Sequence, residues 1–355
     1  MQVLLIGAGR YGNGLVGRKY KNGEFGVELA GVVDPKIDEI KKSPTYQLKD
    51  IPTYHNLKEV PNSCIQDSVS EIAIVPQIVP KSYKELAKYG SRKIILPKPV
   101  AANERDFEEI LNLSESANID TAVASNWHYS NITKMTKALL NKLTDKPIDN
   151  NTNLPDDFYA KLNGLSGGYK IDRVEVEYNK KFETLAIDPP MQELPHALQI
   201  VYSTGCTDLG NDNIIMDSNL QTASRVNVLL ENQKVKNGIK LNSDLQMKDR
   251  INKKRERLLK IYLEKNGEKV IVTTDYDADF TPNGICIKRP SIKYESLDSP
   301  ESDWKYEIDE DNINTMYAEI FSYMRGQPNN ALSINRYNPI AKTLCQVEKV
   351  WKAQI

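Results

Sequence analysis

Short apolar runs alternate with amphipathic stretches along the first third of the chain. The runs are typical of strands, and the stretches between them show the 3.6-residue period of helices. Alternating strands and helices indicate a doubly wound parallel sheet, so we predict an α/β Rossmann domain over residues 1–124. The predicted strands are residues 2–6, 27–33, 71–75, 93–96 and 121–124. One predicted helix ends near Arg18, a second begins near Ser82 and a third spans 104–116.

The pattern changes after Asn126. A predicted helix at 132–143 is followed by a polar stretch, 145–168, which we interpret as an excursion or mobile loop because it is rich in Asn, Asp, Pro and Gly. Apolar and charged residues then alternate at 173–178, and Asn266-Gly267 joins two apolar runs, a strong signal for a β-hairpin. We therefore predict a second, α+β domain over residues 125–355, with an open and mainly antiparallel sheet.

Two amphipathic helices close the chain. Asp311 is placed to cap the first and Gly326 to end it, while Ile340, Leu344 and Val347 share one face of the second. We expect both to be core helices, packed on the second domain or back on the first.

Composition narrows the class of protein. The chain has 47 Lys and Arg against 48 Asp and Glu, so its bulk charge favours neither nucleic acid nor a membrane surface as partner. Its four cysteines form no Cys-x-x-Cys pair, and we expect no metal site. The sequence contains no signal-like or membrane-length apolar stretch, and we expect a cytoplasmic location.

The first apolar run leads into a Gly-x-Gly-x-x-Gly motif, the pattern of a dinucleotide-binding turn. Gly7 makes the tight turn, Gly9 lets the backbone approach a pyrophosphate, and Gly12 lets the following helix pack closely on the strand. N–H groups at the start of that helix then face the phosphates. We expect cofactor contacts from Gly7, Gly9, Arg10, Tyr11 and Gly12.

Asp34 ends the second predicted strand, 22 positions after Gly12. A carboxylate about 20 residues after the glycines typically binds the adenosine ribose. Its charge would repel a 2′-phosphate, which favours NAD as the cofactor, although Lys36 two positions later leaves NADP open.

Further candidates follow other predicted strands, because open parallel sheets bind ligands beyond the carboxyl ends of their strands. We expect Pro76, Gln77 and Asn126 to contact the cofactor. Lys98 lies between two prolines that restrict its backbone, and its ammonium group could bind the cofactor and favour the alkoxide of a substrate hydroxyl.

Three residues with rings come directly after Asn126. Trp127 and Tyr129 suit stacking on a sugar face, so we expect them to bind substrate. His128 is a further candidate for substrate binding, with a structural role equally open.

His196 is the strongest candidate for proton transfer. Pro195 suits the first turn of a helix, so we expect His196 at a helix N-terminus. The positive end of the helix dipole would favour the neutral imidazole that a general base requires. Glu193, three residues earlier, could orient or reprotonate this histidine.

These residues together resemble the glucose-fructose oxidoreductase/inositol dehydrogenase (Gfo/Idh/MocA) family over nearly the full length of the chain. The resemblance rests on the glycine motif, Asp34-Pro35, Pro76-Gln77, Lys98-Pro99-Val100, the Asn126 segment, the His196 segment and Arg336-Tyr337-Asn338-Pro339. It implies a Rossmann domain paired with an open antiparallel sheet, NAD or NADP as cofactor, and interconversion of a sugar or cyclitol hydroxyl with its ketone. It also implies a homo-oligomer, a dimer or tetramer, built through the exposed face of the second sheet.

The chain departs from the family pattern at three positions. The family's Glu-Lys-Pro places its lysine on Lys98, but Pro97 stands where the glutamate would be. Its Asp-x-x-x-His places the histidine on His196, with Gln192 in place of the aspartate and Gln199 in place of a second Asp. Glutamine accepts no proton, so a relay would run through His196, Lys98 or Glu193, and both glutamines would serve as substrate ligands.

The leading hypothesis is an NAD(P)-dependent oxidoreductase of carbohydrate metabolism, which transfers hydride between nicotinamide and a carbohydrate-like alcohol or ketone. One alternative is a non-catalytic dinucleotide- or sugar-binding sensor on the same fold, which the three departures favour. Another is an imine or double-bond reductase, which needs a proton donor but no paired acid.

Overall fold

The computed structural model describes residues 1–149, 154–179, 189–206, 213–217, 225–231, 239–244, 256–277, 279–280, 286–327, 329 and 331–354. The chain forms two compact units. The first comprises Met1–Ser125 with Met316–Ala341, and the second comprises Asn126–Thr315 with Lys342–Ile355.

A six-stranded parallel sheet forms the centre of the first unit. Its strands are β1 (Gln2–Ile6), β2 (Glu28–Val33), β3 (Thr53–Tyr54), β4 (Ser68–Ile72), β5 (Lys93–Pro97) and β6 (Asp120–Ala124). The strand order β3-β2-β1-β4-β5-β6 is that of the Rossmann fold, so the predicted sheet is confirmed. The order reverses between β1 and β4, and ligands of such sheets bind at that point.

Helices connect these parallel strands. They are a π-helical stretch (Arg10–Gly17) that continues as α1 (Arg18–Lys21), then α2 (Ile37–Lys41), α3 (Asn62–Asp67), α4 (Val79–Lys88) and α5 (Glu104–Ser116), with single 3-10 turns at Glu24–Gly26, Leu57–Glu59 and Pro76–Ile78.

Two predicted boundaries around β4 are wrong. The strand predicted at 71–75 is Ser68–Ile72, and the helix predicted to begin near Ser82 begins at Val79. Pro80 lies in the first turn of α4, where proline is tolerated, so the helix begins earlier than its apolar pattern suggests. Val75 is 44% exposed and belongs to the connection.

An eight-stranded sheet forms the centre of the second unit. Its strands are β7 (Lys170–Asn179), β8 (Asn213–Asp217), β9 (Arg225–Glu231), β10 (Ile239–Asp244), β11 (Glu256–Lys265), β12 (Glu268–Asp275), β15 (Ser291–Ser296) and β16 (Trp304–Glu307), while β13 (Asp279–Phe280) and β14 (Cys286–Lys288) pair separately. In the order β16-β15-β12-β11-β7-β10-β9-β8, only the pairing of β7 with β10 is parallel. The predicted mainly antiparallel sheet is therefore confirmed.

Turn chemistry explains the β11–β12 hairpin. Asn266 and Gly267 both have positive φ, 53° and 91°, as the predicted two-residue turn requires.

The remaining helices are α6 (Asn126–Tyr129), α7 (Asn131–Leu143), α8 (Asp156–Asn163), α9 (Pro189–Thr204), α10 (Asn312–Met324) and α11 (Ile334–Gln354), with a 3-10 turn at Pro300–Ser302. No helix among the described residues combines the length and apolarity needed to cross a membrane.

The interpretation of 145–168 as a loop needs correction, because the segment contains α8. Phe158 and Leu162 are buried and lie four residues apart, which puts both on one face of a short helix. The abundant Asn, Asp, Pro and Gly around them concealed this apolar pair.

The capping of α10 is confirmed. Oδ1 of Asp311 accepts hydrogen bonds from the N–H groups of Ile313 and Asn314, both at 3.0 Å. Gly326, just beyond the helix, has a φ of 80°, the left-handed conformation that favours glycine.

Candidate functional site

One edge of the parallel sheet collects the predicted cofactor-binding residues of the first unit. All its strands run in the same direction, so their carboxyl ends meet at this edge. Gly7 follows β1, Asp34 follows β2, Pro76 follows β4 and Lys98 follows β5. Asn126 follows β6 and is the first residue of the second unit.

The glycine turn combines two glycines that packing requires with one that it does not. Gly7 has a φ of 105°, and a Cβ there would lie 2.6 Å from the carbonyl oxygen of Ala73. A Cβ on Gly12 would lie 2.1 Å from the carbonyl oxygen of Gly7. Around Gly9, by contrast, a Cβ would meet nothing within 4 Å. This open space is what a turn that admits a pyrophosphate needs.

Asp34 is fixed beside the glycine turn by the backbone. Its Oδ2 accepts a hydrogen bond from the N–H of Ala8 at 2.8 Å, and its Oδ1 accepts one from the N–H of Lys36 at 2.8 Å. Each carboxylate oxygen keeps a further acceptor site for a ribose hydroxyl. Lys36 is exposed.

The connection after β4 exposes apolar side chains. Pro76 is buried, Gln77 is exposed, and Val75 and Ile78 are 44% and 48% exposed. Large aliphatic side chains exposed to solvent can provide a surface for an apolar ring.

Lys98 follows β5 as predicted. Its side chain is half-buried, and the peptide bond to Pro99 is cis. Pro99 and Val100 beyond it are buried, so the lysine stands at an anchored strand end.

Arg10 and Tyr11 differ in their surroundings. Arg10 is exposed at the start of the π-helical stretch. The hydroxyl of Tyr11 lies 2.5 Å from that of Tyr317 in α10, which donates in turn to Oε1 of Glu71 at 2.5 Å. Sequence reasoning missed Glu71 and Tyr317, because no short-range pattern connects residues so far apart.

In the second unit, the structure corrects the placement of His196. The helix that contains it, α9, begins at Pro189, so Pro195 lies inside the helix. His196 is 8% exposed and stands about two turns from the N-terminus, too far for the dipole argument to apply. The first turn of α9 contains Pro189, whereas the prediction places Pro195 there. Gln192 and Glu193 belong to α9, but their side chains lie outside the described residues.

One face of α9 meets α6. Nδ1 of His128 lies 2.8 Å from Oγ of Ser203. His196 and Gln199 precede Ser203 by seven and four residues, a spacing that puts all three on the same helix face. The predicted residues His128, His196 and Gln199 therefore belong to two elements in contact.

Gln199 is completely buried. Neither its Nε2 nor its Oε1 has a hydrogen-bond partner among the described residues. A buried amide without partners costs about 1–3 kcal/mol, so its presence on this face indicates a ligand or water partner.

Trp127 and Tyr129, which the sequence predicts to stack on a sugar, are both buried. The two residues are 2% and 0% exposed, so neither ring offers a free face. The guanidinium of Arg257 lies 4.8 Å from the Trp127 ring centre, and the ring of Tyr276 meets that indole edge-on at 5.1 Å. The two rings pack α6 into the second unit because their apolar area is more stable away from water.

Among the described residues, no group of three or more His, Cys, Asp or Glu side chains could hold a metal ion.

Comparison with solved structures identifies the fold. An oxidoreductase from Agrobacterium radiobacter, solved with NAD+, L-tartaric acid and magnesium, superposes with a TM-score of 0.68 at 14% identity, over 99% of this chain and 95% of the other. KijD10, a 3-ketoreductase from Actinomadura kijaniata solved with TDP-benzene and NADP, gives 0.67 at 9% identity over 97% and 95%. UDP-N-acetylglucosamine 3-dehydrogenase GnnA from Acidithiobacillus ferrooxidans gives 0.62 at 11% identity over 98% and 96%.

The chain has the fold of these oxidoreductases. Its structural neighbours over nearly the full length are of the Gfo/Idh/MocA type, so the predicted resemblance is confirmed at the level of the fold.

Sequence comparison adds less. No family model matches the chain. The uncharacterized protein YMR315W of Saccharomyces cerevisiae is 32% identical over 100 residues, which span 27% of this chain and only 28% of that protein.

Proposed function

We propose that this protein is an NAD(P)-dependent oxidoreductase, with NAD preferred, that interconverts a hydroxyl and a carbonyl group of a carbohydrate-like substrate. The observation that carries the proposal is the open space at Gly9, with the Asp34 carboxylate fixed beside the same turn. A methyl group would fill that space without a clash, so the packing of the protein does not explain the glycine, whereas a bound pyrophosphate does.

The residues of the first unit fit the parts of a dinucleotide. Asp34 would accept hydrogen bonds from the adenosine ribose, and its negative charge would disfavour a 2′-phosphate. Val75 and Ile78 would cover an apolar ring face. The bound dinucleotide would supply or accept the hydride.

Two side chains would handle the substrate proton. Lys98 would donate a hydrogen bond to the substrate oxygen and stabilise its negative charge. His196 would take up or return the hydroxyl proton.

Gln199 supports a carbohydrate-like substrate. A buried primary amide donates through its nitrogen and accepts through its oxygen, a combination that matches the hydroxyl groups of a polyol. One structural neighbour was solved with L-tartaric acid, one is a UDP-N-acetylglucosamine 3-dehydrogenase and one is a 3-ketoreductase. These names and this ligand support a polyhydroxylated substrate.

Titration of the purified chain with NADH and NADPH, followed by intrinsic fluorescence, tests the cofactor. We expect micromolar binding of NADH and weaker binding of NADPH. A panel of sugars, cyclitols and keto-sugars, followed at 340 nm with bound nicotinamide, then tests turnover. Failure to bind either dinucleotide overturns the proposal.

A second candidate is a non-catalytic sensor, favoured by Pro97, Gln192 and Gln199 at positions where the family carries acids. NADH binding that responds to a sugar, with no turnover of the whole panel, would establish it.

We also infer a homo-oligomer through the open face of the second sheet, which light scattering tests.

A further inference from the structure

A carboxylic acid lies buried in the middle of the parallel sheet. Glu71 of β4 pairs with Leu5 of β1 on one side and Ile95 of β5 on the other, and it is 1% exposed. Its Oε1 accepts a hydrogen bond from the hydroxyl of Tyr317 at 2.5 Å, and its Oε2 accepts a short one from the hydroxyl of Tyr20. Each oxygen of the acid is therefore held by one tyrosine.

This acid is connected to the glycine turn. Tyr11 lies between Gly9 and Gly12, and its hydroxyl is 2.5 Å from that of Tyr317. Because the proton of Tyr317 goes to Glu71, the proton of the shared hydrogen bond comes from Tyr11. We call Tyr11, Tyr317, Glu71 and Tyr20 the Glu71 network.

Aromatic packing holds the network rigid. The rings of Tyr20 and Tyr317 meet edge-on at 5.7 Å, and Phe25 lies 5.6 Å from Tyr317. Tyr20 and Tyr317 are 1% and 0% exposed. Because these side chains are tightly packed, a change in the charge of Glu71 affects Tyr11 through the hydrogen bonds and through electrostatics.

We propose that Glu71 and Tyr317 position the dinucleotide-binding turn through Tyr11, and that NADH binding is linked to proton uptake by Glu71. The proposal rests on the proposed dinucleotide binding. Glu71 and Tyr317 are positioning residues in this account, since both are buried and act through Tyr11.

The direction of the linkage follows from charge. Burial raises the pKa of Glu71 to about 7, while the hydroxyls of Tyr20 and Tyr317, from α1 and α10, oppose that rise. Tyr11 is the next titratable group, and no charged side chain among the described residues contributes to this pKa shift. A pyrophosphate at the glycine turn adds negative charge nearby and so disfavours the Glu71 carboxylate. The bound state then has the higher pKa and takes up a proton, and NADH affinity falls as the pH rises.

The test is the dissociation constant of NADH from pH 6 to pH 8, measured by fluorescence at constant ionic strength. NADH is the suitable probe because its pyrophosphate does not titrate in this range, unlike the 2′-phosphate of NADPH, whose second pKa is about 6. For the wild type we expect affinity to fall by about 3- to 10-fold, since a shift of one pKa unit corresponds to a tenfold change.

Two variants assign the effect. Glu71→Gln keeps the shape and the zero charge of the protonated acid, with an N–H donor in place of the O–H, so we expect the affinity of the wild type at pH 6 at every pH. Tyr317→Phe keeps the ring but breaks the chain, and we expect weaker NADH binding by about 2- to 10-fold, the value of one hydrogen bond.

Tyr83→Phe is the matched control. Tyr83 is 0% exposed in the same unit and its hydroxyl lies 2.7 Å from Oγ1 of Thr121, outside the Glu71 network. It should change thermal stability as Tyr317→Phe does but leave NADH affinity and its pH dependence intact.

A wild-type dissociation constant independent of pH, or a Glu71→Gln variant with the full pH dependence, overturns the linkage alone. Failure of every variant and the wild type to bind NADH overturns the proposed function and this proposal with it.

Discussion

Oδ2 of Asp34 and the N–H of Ala8 are joined by a 2.8 Å hydrogen bond, which ties the end of β2 to the turn that follows β1. The same carboxylate accepts the N–H of Lys36 through Oδ1, so both oxygens are oriented by backbone groups. In the proposed complex this acid would bind the ribose and this turn the phosphates, and their orientation by the backbone would reduce the entropic cost of binding.

The open space at Gly9 predicts a clean loss of binding. Gly9→Ala introduces a methyl group that meets no protein atom within 4 Å, at an ordinary extended φ of −67°, so the fold should tolerate it. We expect NADH affinity to fall at least about tenfold, or 1.4 kcal/mol, with the melting temperature unchanged. Gly14→Ala, also free of contacts within 4 Å, is the control and should bind normally. Equal affinities of the two variants would contradict the placement of the pyrophosphate.

Asp34 should set the choice between NADH and NADPH. Asp34→Asn keeps the size and one acceptor oxygen but removes the charge that repels a 2′-phosphate. We expect the ratio of NADPH to NADH affinity to rise about tenfold, which corresponds to about a third of the roughly 4 kcal/mol between two unit charges about 4 Å apart near a protein surface. Asp38→Asn removes an exposed charge from the adjoining α2 and tests for a general charge effect. A ratio that changes equally in both variants would remove Asp34 from the account of specificity.

Lys98 should matter for turnover more than for cofactor affinity. Lys98→Met keeps the aliphatic part of the side chain and removes the ammonium group. We expect kcat to fall about 100-fold or more, as for the loss of a group that stabilises a developing charge. Lys88→Met, at the exposed end of α4, should retain full activity. The comparison requires the substrate found in the panel, and a Lys98→Met enzyme of normal kcat would show that the lysine is structural.

Protein stability should report the protonation of Glu71 independently of any ligand. Its pKa is about 7 in the folded protein against an ordinary value of 4.5, so the folded state binds more protons between these values. The contribution of Glu71 to the free energy of unfolding is therefore fully present below pH 4.5 and is lost as the pH rises through 7. The loss amounts to up to about 3 kcal/mol. Glu71→Gln has no such loss, so its melting temperature relative to wild type should rise between pH 5 and pH 8. A constant difference between the two proteins would show that Glu71 titrates normally.

Local patterns in the sequence were sufficient for much of the fold. The run of apolar residues before Gly7 and the Asn266-Gly267 pair specify structure over a few residues, and both predictions hold. The Glu71 network was not predictable, because Tyr317 is 246 positions from Glu71 and only the folded chain brings them together. Burial was equally hidden for Trp127, since an aromatic residue after a strand suits a core and a sugar site alike.

The position of His196 failed for a different reason. Proline marks the first turn of a helix on average, but α9 has prolines at its start and in its interior, and local sequence does not separate the two cases. What survives is the helical spacing, which places His196, Gln199 and Ser203 on one face whichever residue begins the helix. The sequence therefore identified His196 as a candidate residue, but the helix-dipole argument for its role was wrong.

Gln199 offers a test of function that also measures stability. Gln199→Met preserves most of the volume of the side chain and removes an amide that has no partner among the described residues. If the amide is kept for a substrate, its removal should stabilise the protein without ligand, by about 1–3 kcal/mol, because a buried polar group no longer lacks its hydrogen bonds. The same change should raise KM for the substrate about tenfold or more, the cost of an unpaired substrate hydroxyl. Thermal denaturation without ligand and steady-state kinetics measure the two effects separately. A variant that is both less stable and unchanged in KM would show that the amide serves the fold, since only a ligand-binding role requires stability and substrate affinity to move in opposite directions.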